Sequence, residues 1–449
     1  MERQENKMGV MKMNKLLVSM SLPMMISMLV QALYNIVDSI FVSYFSPDAL
    51  TAVSLSFPVQ SLMIAIAGGT GVGINSLVSR RLGEKRFKEA NSTAVHGILL
   101  EILSSFIFVI IGIFFAEPFF KAFTTDPEVI EYGIQYLRIC CIFSVGIFMQ
   151  IAGERLLQST GKTVYNMITQ GLGAITNIIL DPIMIFGLFG FPKMGIAGAA
   201  LATVVGQWVA MILAIVFNNK KNKEISVSLK GFKFSGGIVK EIYAIAIPSI
   251  IMQSIMSIST VGMNKILNSD IAVSVYGVYF KLHSFIFMPI FGLTNALIPI
   301  AAYNYGAGKL DRMKSAVRIA LVMTTSIMAV GSVLFEAIPH VFLSFFNADK
   351  AMLELGVPAL RIFAVSFCFS GVSIICASYF QALGRAVWSM VISILRQLGV
   401  LLPVAFVFMK LGGLDLVWFA LPTAELFAMV LSITVYKKIS KRVMSGTLK

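Results

Sequence analysis

Residues 16–45 read LLVSMSLPMMISMLVQALYNIVDSIFVSYF, a run whose only charged side chain is Asp38. A helix crosses the hydrocarbon core of a bilayer with about 20 apolar residues, so this run is long enough to span. Working outward from it, comparable runs recur to the end of the chain. The expected spans are 16–45, 50–79, 91–116, 128–157, 163–188, 194–217, 240–267, 272–303, 313–338, 352–382, 387–410 and 414–436. Twelve spans predict an all-α integral membrane protein with both ends of the chain on one side. Composition agrees: 13% of the 449 residues are charged and 57% are hydrophobic, where a soluble chain carries about 25% charged residues.

The net charge of +14 suggests nucleic acid as a partner until its placement is considered. One set of loops and ends carries Arg3, Lys7, Lys12, Lys15, Arg80, Arg81, Lys85, Arg86, Lys88, Arg155 and Lys162. It continues with Lys220, Lys221, Lys223, Lys230, Lys233, Lys240, Lys309, Arg312, Lys314, Arg318, Arg385, Lys437, Lys438, Lys441, Arg442 and Lys449. The other side carries only Lys121, Lys193, Lys265, Lys350 and Lys410. The excess is roughly five to one, and the positive-inside rule then makes the first side cytoplasmic. Short basic clusters between apolar runs are membrane topology signals, so no nucleic-acid partner is expected. The expected location is the cell membrane, multi-pass, with both termini cytoplasmic. Cys140, Cys141, Cys368 and Cys376 sit inside apolar runs without metal-site spacing. The polar start lacks the cleavage site of a signal peptide.

Sliding the chain on itself gives an ordered series of matches. Pro23 pairs with Pro248 and Gly83 with Gly308, 225 apart. Phe123, Asp126, Arg138, Gln158 and Gly161 pair with Phe346, Asp349, Arg361, Gln381 and Gly384, 223 apart. Thr203 pairs with Thr423, 220 apart. The series predicts two tandem six-helix lobes, a parallel repeat related by a pseudo-twofold along the membrane normal. The expected division is an N-lobe of 1–217, a basic linker of 218–238 and a C-lobe of 239–449.

Motifs for chemistry are mostly missing. The Gly153–Thr163 stretch has Leu156 where a phosphate-binding loop needs glycine, and Ser76 interrupts the glycines 68, 69, 71 and 73. Those glycines fit close helix packing better. His96, His283 and His340 are isolated. No enzyme activity and no cofactor are expected, and an ion gradient is the natural energy source.

Ionisable residues inside a membrane are functional candidates, since each costs about 2.5–3.5 kcal/mol on insertion scales. Asp38, Arg138, Asp181, Lys281, Arg361 and Arg396 are the clearest, with Glu101, Glu425, Glu154 and Arg155 beside them. Asp38 and Asp181 each lie seven or so residues from the outer end of a span. Tyr136 and Thr203 lie eight or nine residues in from the same side. At 1.5 Å per residue all four sit about 10–14 Å below that surface, and Asn177 is one helical turn from Asp181. This set could bind a proton or a hard cation such as Na⁺; interhelical hydrogen bonding is the plainer alternative. Pro23 lies within the same span as Asp38, where it is either a hinge or a harmless proline near a helix start. The second lobe has no acid at the positions matching Asp38 and Asp181. Its spans offer Gln253, Met256, Tyr276, Tyr279, Lys281 and Met288, with Met252 and Phe287. Such adaptable and aromatic side chains can line a drug cavity, or face lipid.

Gln31-Ala-Leu-Tyr-Asn-Ile-Val-Asp38-Ser-Ile-Phe resembles the first-helix signature of the multidrug and toxic compound extrusion (MATE) transporters. Asn177-Ile-Ile-Leu-Asp181-Pro182 and Gly198-Ala-Ala-Leu-Ala-Thr203 are similar to its other signatures. Met288-Pro-Ile-Phe-Gly-Leu293, with Tyr-Asn-Tyr-Gly-Ala-Gly before Lys309, resembles the MepA-like branch. The resemblance implies a V-shaped pair of lobes exporting cationic lipophilic drugs or dyes in exchange for H⁺ or Na⁺. It implies ion binding at Asp38, Tyr136, Asn177, Asp181 and Thr203, with Na⁺ held at Asp38 and Asp181 if Na⁺ is the ion, and bending at Pro23. A monomer in the lipid bilayer is expected. Gln253 stands where some branches carry an acid in the seventh span, and 362–382 holds none. A lipid-linked precursor flippase of the same superfamily is the competing reading, with Lys281 and Arg396 as its anion-binding groups. An intramembrane enzyme is a remote third.

Overall fold

A computed structural model describes residues 5–346 and 348–447; Arg3 and Lys449 of the basic set lie outside the described residues. The described residues contain helices and connecting loops and no strands. Inside lipid this is forced, because backbone groups must find their partners within the segment. Among the described residues, ten helices are each long and apolar enough to cross. Two bent pairs complete twelve: Pro127–Ile142 with Val145–Ser159, at 45°, and Lys350–Ala364 with Ser366–Ala382, at 44°. These are the fourth and tenth spans, which hydropathy reads as continuous.

The repeat is plain in the helix ends. The second span, Pro47–Gly83, and the eighth, Asp270–Gly306, each have 37 residues; the third, Phe87–Phe114, and the ninth, Leu310–Ala337, each have 28. All four ends are shifted by 223. Asp126 and Asp349, matched in the sequence, cap the same helix in the two lobes: Asp126 Oδ1 accepts from the Glu128 amide at 2.9 Å and Asp349 Oδ1 from the Met352 amide at 2.8 Å. Three matches need correction. Pro248 lies two positions past Ala246, the residue that a shift of 223 pairs with Pro23. The partner of Gly83 is Gly306, the last residue of its helix, whereas Gly308 corresponds to Lys85, both with positive φ (69° and 60°). Thr203 is well inside Ile196–Lys221 while Thr423 opens Ala420–Met444. Single-residue identities drift where helix ends do not. The last span also runs beyond 414–436, because its helix continues past the apolar stretch through Lys437, Lys438, Lys441 and Arg442.

The lobes join at the end that carries the basic residues. One continuous core there draws on both, from Leu16, Leu77 and Leu82 to Ile242, Leu297 and Ile300. Toward the far end each lobe has its own core, around Tyr136 and Phe108 in one and Tyr276, Phe363 and Trp418 in the other. The hydrogen bonds that cross the seam gather in the basic half. Ser76 Oγ donates to Gln381 O (2.9 Å), Arg81 pairs with Glu241 (2.9 Å) and Arg155 Nη1 donates to Asn295 Oδ1 (2.8 Å). Glycines make the approach possible: a Cβ on Gly69 would sit 2.5 Å from Ile250, and one on Gly292 2.5 Å from the Met25 amide nitrogen.

The segment before the first span fastens both lobes. Asn6 donates to Thr160 O at 3.1 Å and also bonds Glu224. Asn304 of the second lobe donates to Met8 O (3.0 Å), Arg312 to Met11 O (2.7 Å), and Lys309 bonds Glu5. Met8 is fully buried between them.

Candidate functional site

In the far half of the first lobe, four spans converge on two acids. Asp38 is on the first span, Met13–Phe45; Asn177 and Asp181 are on the fifth, Thr163–Phe186; Thr203 is on the sixth; Tyr136 is on the first segment of the fourth. The fifth and sixth spans touch backbone to backbone, since a Cβ on Gly206 would lie 2.7 Å from Gly173 O. That approach lets Asn177 Nδ2 donate both to Thr203 Oγ1 (3.2 Å) and to Asp181 Oδ1 (3.3 Å). Asp38 and Asp181 are near neighbours, close enough for their carboxyls to act on each other. Both are buried, Asp181 completely and Asp38 to 8% exposure. The Tyr136 hydroxyl accepts from Gln60 at 3.2 Å, and Gln60 also approaches Cys140 Sγ at 3.7 Å. All five sequence-predicted residues thus lie around one point. Gln60 and Tyr34 join them without having been predicted; Gln60 lies ten residues into the second span, a depth that was available as a signal.

The chemistry of this cluster follows from its unused oxygens. Asp38 Oδ1, Asp181 Oδ2 and Asn177 Oδ1 are buried without a hydrogen-bond partner among the described residues. Leaving such a group unsatisfied costs about 1–3 kcal/mol, more when it is charged. Two buried carboxyls side by side repel when both are ionised, so a proton or a cation bound between them is favoured. The same oxygens, with the Thr203 and Tyr136 hydroxyls nearby, are the hard ligands that suit a small cation. The set therefore fits either a proton or Na⁺.

Pro23 lies well inside the first span, which starts at Met13, so it is not a helix-start proline. Ser27 Oγ donates to Pro23 O at 3.0 Å. The close approach of Gly292 to Met25 is half a turn away.

The second lobe holds a cavity of about 390 Å³. Gln253, Met256, Tyr276 and Tyr279 line it, together with Met252, Phe280, His283, Phe287, Arg396 and Glu425. Lys281 and Met288 do not. Lys281 is exposed, its Nζ 5.5 Å from the centre of the Phe346 ring. Helix periodicity explains the split: 276, 279, 280, 283 and 287 recur every three or four residues on one face, and 281 and 288 fall off it. His283 stacks on Phe287 with ring centres 3.6 Å apart. Arg396 Nη1 donates to both oxygens of Glu425, at 3.1 and 3.3 Å.

A smaller cavity of about 250 Å³ lies between the lobes near mid-height. Gln31, Gln150, Glu154, Arg155, Gln170, Gln207 and Asn295 give it a polar lining, and Gln253 borders both cavities. Glu154 accepts from Gln150 (3.0 Å), Gln170 (2.9 Å) and Thr169 (3.2 Å). Glu101 is fully buried, with neither carboxyl oxygen hydrogen-bonded among the described residues.

The MatE family model matches residues 23–183 and 244–407. Multidrug export protein MepA of Staphylococcus haemolyticus is 28% identical over 414 residues, covering 92% of this chain and 90% of that protein. MepA of Staphylococcus aureus is 26% identical over 426 residues, covering 94% and 93%. Among solved structures, the outward-facing conformation of a multidrug resistance MATE family transporter of the MOP superfamily superimposes with a TM-score of 0.92 at 25% identity, covering 99% of both chains. A MATE structure in the bent conformation gives 0.91 at 26% identity over 97% of both.

Proposed function

The chain belongs to the MatE family, and from that premise we propose that it is a multidrug exporter driven by the inward flow of H⁺ or Na⁺. The observation that carries the coupling is the burial of Asp38 and Asp181 side by side, with an unpartnered oxygen on each. An entering ion satisfies these oxygens; an expelled one leaves charge without compensation inside the first lobe. Ion loading and the geometry of the first, fifth and sixth spans are therefore linked, with Pro23 as the point where the first span can yield.

The basic end is the cytoplasmic one on the charge rule, so both termini lie inside the cell and the protein sits in the cell membrane. The lobes then meet on the cytoplasmic side and part toward the exterior. The aromatic cavity of the C-lobe takes the drug: its ring faces and methionines suit flat, lipophilic cations. The relatives named above are export proteins, and no step here requires a bond to be made or broken. Both cavities and the acid cluster lie within one chain, so a monomer suffices.

The flippase reading is not favoured. An anionic pyrophosphate calls for several basic groups without counter-ions, whereas among the described residues lining the C-lobe cavity Arg396 is the one Lys or Arg, its charge balanced by Glu425, and Lys281 faces away. The test uses purified protein in proteoliposomes loaded with ethidium. Efflux should accelerate on imposing a proton or sodium gradient of the correct sign. Indifference to both gradients would refute the reading, and the gradient that works names the ion.

A further inference from the structure

The C-lobe cavity contains a charge pair that binding a simple lipophilic cation does not require. Arg396 and Glu425 lie inside it, 3.1 Å apart, and Glu425 is almost fully buried. Desolvating two ions is expensive, and replacing such a pair with packed apolar groups is often neutral or favourable. Arg396 stands in a π-helical stretch, Leu395–Leu401, between Ala386–Ile394 and Leu402–Val417. Helical irregularities of this kind re-aim side chains and recur at functional sites. The pairing is also incomplete. Only Nη1 of Arg396 reaches the carboxylate, while its Nε–H is buried with no hydrogen-bond partner among the described residues. A guanidinium normally presents a fork of donors to a planar anion, and here part of the fork is unused.

The charges of the pair sum to zero. A monocation entering the cavity adds an uncompensated charge in a medium of low dielectric; a zwitterion adds none. Its carboxylate can accept from Nη2 of Arg396, which makes no hydrogen bond among the described residues and belongs to a side chain 21% exposed on the cavity wall, while its cationic part is drawn to Glu425, so both charges of the pair keep a partner. The aromatic face built by Tyr276, Tyr279, His283 and Phe287 stands ready for a flat ring.

We propose that the Arg396–Glu425 pair is a subsite for the carboxylate of aromatic zwitterions, so that the C-lobe cavity prefers flat ring compounds carrying both a cation and a free carboxylate over the cation alone. This rests on the cavity being the drug site proposed above, and it specifies one class of drug for it.

The test needs two dyes with one ring system: rhodamine B, whose carboxylate is free, and rhodamine B methyl ester, in which it is masked. Binding to the purified full-length protein is followed by fluorescence polarisation with no ion gradient. One charge-assisted hydrogen bond corresponds to a preference of about ten-fold or more, so the wild type should bind the free acid at least about ten-fold more tightly than the ester. In Arg396→Gln the order should reverse, because Glu425 is left to attract the ester's cation. In the double variant Arg396→Gln with Glu425→Gln the two dyes should bind alike. That double variant has no unpaired buried charge, so it remains informative if the single variant does not fold. A wild type that prefers the ester, or an acid-to-ester ratio unchanged in the variants, overturns the proposal. Ethidium efflux under an ion gradient, measured on the same preparations, keeps this separate from the function itself: efflux intact with no preference for the acid refutes only the subsite.

Discussion

Gly83 and Gly306 meet the opposite lobe in the same way: a Cβ on Gly83 would lie 2.1 Å from Tyr303 O, and one on Gly306 2.1 Å from Arg80 O. Residues 83 and 306, like 80 and 303, are 223 apart, so this is one contact made twice about the pseudo-twofold axis. The obstructing atoms are backbone and cannot rotate away. Gly83→Val or Gly306→Val should therefore prise open the basic end, with an overpacking cost of about 1–3 kcal/mol. Thermal unfolding in detergent should begin several degrees lower in either variant. An unchanged melting temperature would show that the seam is looser than it looks.

Arg155 and Asn295 make the cross-lobe hydrogen bond nearest mid-height. Asn295→Ala removes it but leaves Arg155 bonded to Gln158 at 2.8 Å. Hydrogen bonds to charged groups contribute about 1.5–3 kcal/mol, so the balance between this arrangement and one open at the basic end should shift by about ten-fold or more. Distances between spin labels placed on the two lobes at the basic end would report it. An unaltered distance distribution would rule the bond out as a latch.

Asp38→Asn and Asp181→Asn should each abolish gradient-driven efflux with membrane expression near normal. The amide keeps the shape of the carboxyl but cannot cycle a charge. If both variants still confer dye resistance on cells, the ion is bound elsewhere, and fully buried Glu101 becomes the first place to look.

Tyr279→Ala and Gln253→Ala remove lining from the C-lobe cavity without touching the acid cluster. They should change which dyes are exported while leaving the dependence on the ion gradient intact. Loss of that dependence with unchanged drug preference would dissolve the division of labour between the lobes.

At the basic end, Lys309 donates a hydrogen bond to Glu5 and holds its carboxyl below the usual 4.5. An acid whose folded value is lowered stabilises the fold fully above its unfolded value and loses that contribution as pH falls through the folded one. The fastening of the amino-terminal segment should thus weaken below about pH 4.5. The effect is small, up to about 1 kcal/mol for an exposed pair. Glu5→Gln should remove this pH dependence; proteolysis of the segment across pH measures it. Identical pH profiles in the two proteins would show that Glu5 is not the titrating group.

The twelve spans were legible because lipid imposes a length and a hydropathy on each crossing. The depth of Asp38, Asp181, Tyr136 and Thr203 was legible for a related reason, the fixed rise per residue. What hydropathy does not encode is direction around the helix and breaks within it. Lys281 lies at a suitable height but on the wrong face. His283 looked isolated in the chain and proves to belong to the face of Tyr276, Tyr279 and Phe287. Apolar residues run straight through the bends near Ser144 and Val365, so nothing marked them. The short helices Ala116–Phe123 and Pro339–Ser344 likewise read as loop. Repeat matching by identity misplaced Gly83 by two positions because helix ends, not residue identities, carry the register. The absence of acids matching Asp38 and Asp181 survives the correction: a shift of 223 leads to Val261 and Val404.

The amino-terminal fastening also constrains the order of biosynthesis. Met8 leaves the ribosome early, yet its carbonyl partner Asn304 comes 296 residues later. At about 5–20 residues per second that is a wait of roughly 15–60 s. Throughout it the first lobe can insert and pack, but residues 5–11 have nowhere in the second lobe to dock. The closure at the basic end is therefore among the last contacts a nascent chain can make, and a chain halted before Asn304 carries an N-lobe whose leading segment is still untied.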